Sequence, residues 1–315
     1  MNKEKIRVGV IGVGYVAKNN FLPVLPQFDD VEFVGVMAKN LENARKVQRM
    51  CGAEHAVSTI EEFVDLGIDC AFVLTPKECH AEQISFLLNQ GLDVYSEKPM
   101  ATTLKDAAYV ADVAEKTGQK LMIGFNRRYA PVCQRAKEVY TDRLPDVIIG
   151  QKNRPQTEYR ATLENAIHIV DLMRYYGGEV RNVNAISKFT DPYYETFTTA
   201  QMEFESGASG ILVADRSAGQ WEETIEIHGG NRSVLIKMAD SVTITDEKEQ
   251  HTMEMTPLAM GWAKSEDKLG FRNAIRHFLD CVKNDQMPIT NAADAFKTHE
   301  LMDRILRSAG LPAME

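Results

Sequence analysis

Two glycines and an alanine, Gly12-x-Gly14-x-x-Ala17, follow the apolar run KIRVGVI and open a segment of helical character. Residues of these types at this spacing suit a diphosphate. The first glycine makes a tight turn, and the second lets the backbone approach the ligand. The small third residue lets helix and strand pack closely, while the helix start offers N–H donors and the positive end of its dipole. Tyr15 and Val16 belong to the same cradle. The spacing alone also fits a strand-to-helix turn with no ligand. Its place in an alternating α/β region favours a dinucleotide.

A second strand pattern, VEFVGVM, ends in Ala38-Lys39-Asn40. An NAD site usually carries a carboxylate here for the ribose hydroxyls. None is present, and Lys39 could meet a 2′-phosphate, so the expected cofactor is NADP or NAD, with NADP modestly favoured.

Lys98 is the candidate acid–base group. It lies in Glu97-Lys98-Pro99, after the strand pattern LDVYSE, and so at a carboxyl-end loop where open α/β sheets bind ligands. Burial and a cationic nicotinamide ring both disfavour an ammonium, lowering its pKa toward the range useful at neutral pH. Further along, Glu164, His168 and Asp171 fall at i, i+4 and i+7, which sets them on one helix face. Leu163, Ala166, Ile167, Val170 and Met173 define the core face of that helix. By pattern alone the polar face reads as solvated.

These groups need elements to hold them. Strand and helix patterns alternate to about residue 123, with Asn40 as a helix cap, Ser58 with Glu61 as a capping box and Gly91 as a helix stop. Near-continuous apolar strands mean a doubly wound parallel sheet. Two helical stretches follow, near 129–141 and 162–176. A strand-rich run over about 180–256 has hairpin-like punctuation, and two amphipathic helices, 267–284 and 292–308, end the chain. The expected architecture is α/β. A Rossmann domain spans 1–123. An α+β domain spans 124–315, with a large, mostly antiparallel, open-faced sheet.

Composition narrows the function classes. The 315 residues carry a formal net charge of -9, which argues against a nucleic-acid binder. The five cysteines form no Cys-x-x-Cys pair, and no ligand spacing suggests a metal. No apolar stretch suits a membrane span, and the expected location is cytoplasmic. Trp221 and Trp262 read most simply as sheet-packing or interface aromatics.

Several motifs then occur in order: Val73-Leu74-Thr75-Pro76, His80, Glu97-Lys98-Pro99, Gly124-Phe125-Asn126-Arg127-Arg128-Tyr129 with Pro131, and HIVDLMRYYGGEV. Together they resemble the glucose–fructose oxidoreductase/inositol dehydrogenase (Gfo/Idh/MocA) family across essentially the whole chain. The nearest likeness is to its virulence-factor-like (MviM-type) subgroup. The resemblance implies a substrate pocket between the domains and a sheet face used for homodimer or homotetramer contacts. It implies Lys98 and His168 as catalytic groups, and Glu164 where the family usually has aspartate. The family's glycine run before this helix is replaced by YRATLEN. Thr75, Pro76, His80, Glu97 and Lys98 are the implied cofactor-side residues. Asn126 and Arg127, at a strand end, could touch cofactor or substrate, Arg128 suits a structural ion pair, and Tyr159 and Arg160 could line a sugar pocket.

The implied activity is NAD(P)-dependent hydride transfer to or from a hydroxyl-bearing carbon of a sugar, sugar derivative or cyclitol. Two alternatives stand beside it: a redox-neutral epimerase or glycoside-cleaving enzyme with a tightly held nicotinamide, and a non-catalytic NADP-sensing regulator. The Lys98–Pro99 peptide is expected to be cis.

Overall fold

A computed structural model describes residues 5–155, 160–189 and 194–314. Tyr159 lies outside the described residues. The chain divides into two compact units: Met1–Phe125 with Phe271–Phe296, and Asn126–Gly270 with Lys297–Glu315. The expected boundary at 123/124 is drawn along the chain, whereas these units are drawn by packing and take up a later segment.

The first unit is a six-stranded parallel sheet in the order β3-β2-β1-β4-β5-β6. Its strands are β1 (Ile6–Ile11), β2 (Val31–Met37), β3 (His55–Val57), β4 (Cys70–Val73), β5 (Asp93–Ser96) and β6 (Leu121–Ile123). Helices α1 (Leu41–Cys51), α2 (Ile60–Val64), α3 (His80–Asn89) and α4 (Leu104–Thr117) connect them. The order reverses between β1 and β4, the switch point where such sheets bind ligands. Asn40 caps α1 by accepting from the Asn43 N–H at 3.1 Å. The capping box is Thr59 with Glu62, one residue beyond the expected pair, and the Ser58 N–H also donates to Glu62. Helix α8 (Phe271–Asn284) returns to this unit, setting Phe271 and Phe278 into an edge-to-face cluster with Phe21, Phe72 and Tyr95.

The second unit has an eight-stranded sheet in the order β14-β13-β12-β11-β7-β10-β9-β8. Its strands are β7 (Val147–Asn153), β8 (Val180–Phe189), β9 (Glu195–Phe204), β10 (Ser209–Asp215), β11 (Glu222–Gly229), β12 (Arg232–Lys237), β13 (Ser241–Thr245) and β14 (Gln250–Glu254). All pairs are antiparallel except β7 with β10. Central β7 lies outside the strand-rich run read from sequence. Helix α5 (Pro131–Glu138) opens the unit, α6 (Ile167–Gly177) packs on β7, and α7 (Ser265–Lys268) is short. A last helix, α9 (Ala292–Ser308), begins in the first unit's span and ends in the second's. Among the described residues no helix is long and apolar enough to cross a membrane.

Candidate active site

The glycine turn follows β1 directly. Gly12 has φ +94°, and a Cβ there would meet the Leu74 carbonyl group at 2.6 Å, so the chain just past β4 demands glycine. Gly14 is exposed with open space around its missing Cβ. That is the cradle a diphosphate needs, and a side chain would enter it. The turn then winds as a π-helix over Ala17–Phe21, whose anchor Phe21 is fully buried. Ala17 is also fully buried, as its packing role requires, while Tyr15 and Val16 face solvent. The residues present therefore fit a dinucleotide. At the end of β2, Ala38 is half-buried and Lys39 exposed. Asn40 uses its side chain on the α1 cap.

Two further loops meet through His80. This ring is 1% exposed. Its Nδ1 lies 2.7 Å from the Pro99 carbonyl oxygen and its Nε2 2.9 Å from that of Thr75. Each ring nitrogen faces a backbone carbonyl, and the neutral ring donates its one N–H to one of them, so His80 bridges the loop after β4 and the loop holding Lys98. Burial holds its pKa below the ordinary histidine value, and the Lys98 charge adds to that, against the two carbonyls. The Thr75 hydroxyl donates to Gln83 at 2.6 Å, which pins the first loop to α3. Pro76 is exposed, Glu97 and Lys98 are half-buried, and the Lys98–Pro99 peptide is cis as expected. Glu97 lies over Gly124, where a Cβ would come within 3.1 Å of its Oε1 and 2.9 Å of the Tyr95 hydroxyl.

The second unit places the other candidates. Glu164 lies in a π-helical turn, Ala161–Ala166, that precedes α6, so it does not share one regular helix with His168 and Asp171 as the spacing predicts. Glu164 is half-buried and accepts from the Arg160 N–H at 3.2 Å. His168 is 8% exposed and Asp171 fully buried. The solvated polar face is therefore replaced by a buried one. The reason is Arg128, whose guanidinium meets Asp171 at 2.7 and 2.6 Å, while the Thr298 hydroxyl donates to the same carboxylate. Arg128 is thus the expected ion-pair residue.

Arg127, read as a cofactor or substrate contact, is buried against Glu223 at 2.9 and 3.3 Å. Asn126 is 1% exposed and donates to the Leu269 carbonyl at 2.8 Å. Arg160, read as able to line a sugar pocket, is 3% exposed, and its guanidinium donates to the Pro312 carbonyl. Sequence reading missed Lys152 and Glu223, which make a buried ion pair. The alternation in VIIGQKN was the available signal: it puts Lys152 on the same strand face as buried Ile148 and Gly150.

Comparison with known proteins matches this architecture. A family model described as an oxidoreductase family with an NAD-binding Rossmann fold covers residues 6–125, and the GFO/IDH/MocA C-terminal domain covers 139–235. The chain is 26% identical to the Salmonella typhimurium oxidoreductase candidate YceM, over 96% of this chain and 98% of that protein. It is 23% identical to the scyllo-inositol 2-dehydrogenase (NAD(+)) of Bacillus subtilis, over 93% and 91%. A solved dehydrogenase from Clostridium difficile, MviM, superposes with a TM-score of 0.87 at 25% identity, covering 96% of this chain and 99% of that one. With its glycine turn, its Glu-Lys-Pro loop and both matching domains, the chain belongs to the Gfo/Idh/MocA oxidoreductase family, of the MviM type.

Proposed function

We propose that this enzyme oxidises or reduces a hydroxyl-bearing carbon of a sugar, sugar derivative or cyclitol with a nicotinamide dinucleotide, with a modest preference for NADP. The observation that carries the reading is the His80 brace: it joins a cofactor-side loop to the loop holding Lys98. The scyllo-inositol dehydrogenase relative supports the substrate class. When bound, the nicotinamide ring supplies the hydride acceptor or donor. Lys98 takes the hydroxyl proton in oxidation and returns it in reduction. His168 hydrogen-bonds the reacting hydroxyl, and Glu164 orients the substrate from the turn before α6. Gly12, Gly14 and the N–H groups of Tyr15, Val16 and Ala17 hold the diphosphate. Ala38, Lys39 and Asn40 lie toward the ribose, and Thr75, Pro76 and Glu97 complete the cofactor's surroundings.

Steady-state turnover on a polyol and sugar panel with each dinucleotide tests this. Lys98→Ala should lose about 10²–10⁴-fold in kcat while still binding dinucleotide, the range for removing a general acid–base group. Full activity in that variant would remove Lys98 from the mechanism. Self-association belongs to the same proposal. The sheet face opposite α6 exposes Ile186 at 65% and Ile211 at 43%, a surface suited to a homodimer or homotetramer. A monodisperse monomer by light scattering at high concentration would contradict it.

A further inference from the structure

The turn Ala161–Ala166, which carries Glu164, is held from strand β9. The Asn165 N–H donates to the Arg160 carbonyl, five residues back, at 3.2 Å, so this turn is one residue wider than an α-helical one. Glu195, the first residue of β9, reaches it and is fully buried there. One of its carboxylate oxygens accepts from the Thr162 N–H at 2.7 Å, an amide at the helix start, where no helical acceptor exists. The other oxygen lies 3.9 Å from the Arg160 Nε. The Thr162 hydroxyl meets that of Thr198, further along β9, at 2.6 Å, and Thr198 meets the Ser187 hydroxyl of β8 at 2.6 Å. Arg160 is gripped elsewhere as well. Its guanidinium donates to the Pro312 carbonyl at 3.1 Å, and its backbone N–H donates to the Glu164 carboxylate at 3.2 Å. A line of contacts thus runs from Glu195 to Arg160 and Thr162, and from Arg160 to Glu164.

We propose that Glu195 is a positioning residue for the reaction: its buried carboxylate fixes the wide turn so that Glu164 presents one orientation to the substrate. The proposal rests on the dehydrogenase reading, in which Glu164 orients the substrate. Capping an amide needs no buried charge, since a serine or asparagine does it at a helix start with little desolvation. Burying a carboxylate costs free energy that its hydrogen bond and ion pair do little more than offset. What the arrangement supplies is a single geometry rather than added stability. Strand β9 suits that task, because it lies inside the sheet between β8 and β10, and Glu195 itself pairs with Phe189 of β8. A substrate-orienting side chain needs such an anchor, since an ångström of misplacement at the reacting carbon costs up to about 10²-fold in rate.

Two measurements test this. The first is steady-state kinetics, with saturating dinucleotide, on whichever member of the polyol and sugar panel the parent turns over best. Glu195→Gln keeps an oxygen for the Thr162 N–H but gives up the charge, and should lower kcat/KM about tenfold; Glu195→Ala should lower it further, up to about 10²-fold. Because Glu195 acts through Glu164, the double variant Glu195→Gln with Glu164→Gln should lose no more than the worse single variant, to within about twofold. Losses that multiply in the double variant, or a lower Tm with kcat/KM intact, would overturn the role and leave Glu195 a structural residue. The second measurement needs no substrate. Amide hydrogen exchange of the dinucleotide-loaded enzyme, read by mass spectrometry, should quicken about tenfold in peptides covering 160–166 when Glu195→Gln replaces a charge-assisted bond by a neutral one, and stay unchanged in β10. Unchanged exchange in the turn would overturn the brace whatever the kinetics. Faster exchange there, in an enzyme whose parent form turns over no member of the panel, would leave the brace standing and count against the dehydrogenase reading instead.

Discussion

The loops of the first unit and the sheet end of the second are built from different materials. Around Gly12, Thr75 and Pro99 the parts are backbone: a glycine without room for a Cβ, two carbonyls joined by one imidazole, a proline turn. In the second unit the parts are buried side chains paired over long stretches of chain. Arg127 meets Glu223 across 96 residues, Lys152 meets Glu223 across 71, and Arg128 meets Asp171 across 43. A backbone-built site draws its geometry from neighbouring strands and tolerates change in side chains that only line it. A charge-built site stakes stability on every partner, because removing one leaves another buried and unpaired.

Breaking Glu223 should show that contrast most strongly. Glu223→Ala leaves Arg127 and Lys152 buried without their carboxylate and should cost about 3–5 kcal/mol. That corresponds to a fall in Tm on the order of 10 °C. The pH dependence carries the same signature. Burial raises the Glu223 pKa, but the charges of Arg127 and Lys152 outweigh it and hold the carboxyl at about 2. Its folded pKa lies below its unfolded one. The unfolded chain therefore binds the proton first, and the stabilisation present above about pH 4.5 is lost as pH falls toward 2. Urea unfolding followed across that range should lose this part of its slope in the variant. An unchanged Tm and an unchanged acid slope would make the pair energetically idle.

His80 gives the opposite profile. It touches neither reacting atoms nor a charge partner directly, and it acts by holding two loops at one spacing. His80→Ala should lower kcat by up to about 10²-fold, the effect of an ångström-scale misplacement, with a smaller loss of Tm than Glu223→Ala. His80→Gln keeps a donor and should restore part of the rate. A loss confined to KM, or a Tm loss matching that of the Glu223 variant, would make His80 a packing residue rather than a positioning one.

The same contrast explains what could be read from the chain. The glycine turn, the Asn40 cap, the Lys98–Pro99 loop and the alternation of the first sheet are each carried by residue types within a few positions of one another, and all were legible. The capping box slipped from Ser58 to Thr59 because Glu62 reaches the N–H groups of both Ser58 and Thr59. Central β7 was not found, since its apolar half is short and a lysine, Lys152, occupies an inward position. The solvated face proposed for Glu164, His168 and Asp171 failed for a related reason. A helical wheel reports spacing but not the arginine that comes from elsewhere to bury an aspartate, nor the wider turn at Ala161–Ala166.

The smallest expected effect lies at the end of β2, where the backbone-built site meets a single charge. A carboxylate at the position of Ala38 would accept hydrogen bonds from the ribose hydroxyls and repel a 2′-phosphate. With alanine there the repulsion is absent, which by itself creates no preference for NADP. Lys39 is exposed, and the neighbouring Asn40 is committed to the α1 cap, so Lys39 is the cation this loop offers to a phosphate. Water around an exposed ammonium weakens its pull, and the preference for NADP should be tenfold or less, about 1.4 kcal/mol. Ala38→Asp should reverse it by supplying both the hydroxyl acceptor and the repulsion, while Lys39→Ala should bring the two dinucleotides to near parity. Neither change touches the His80 brace or the Glu223 cluster, so kcat with saturating cofactor and Tm should stay close to the parent values. Titration of each dinucleotide, followed by fluorescence, measures the ratio. Tighter binding of NAD than NADP by the parent enzyme would show that Lys39 is only a solvated side chain.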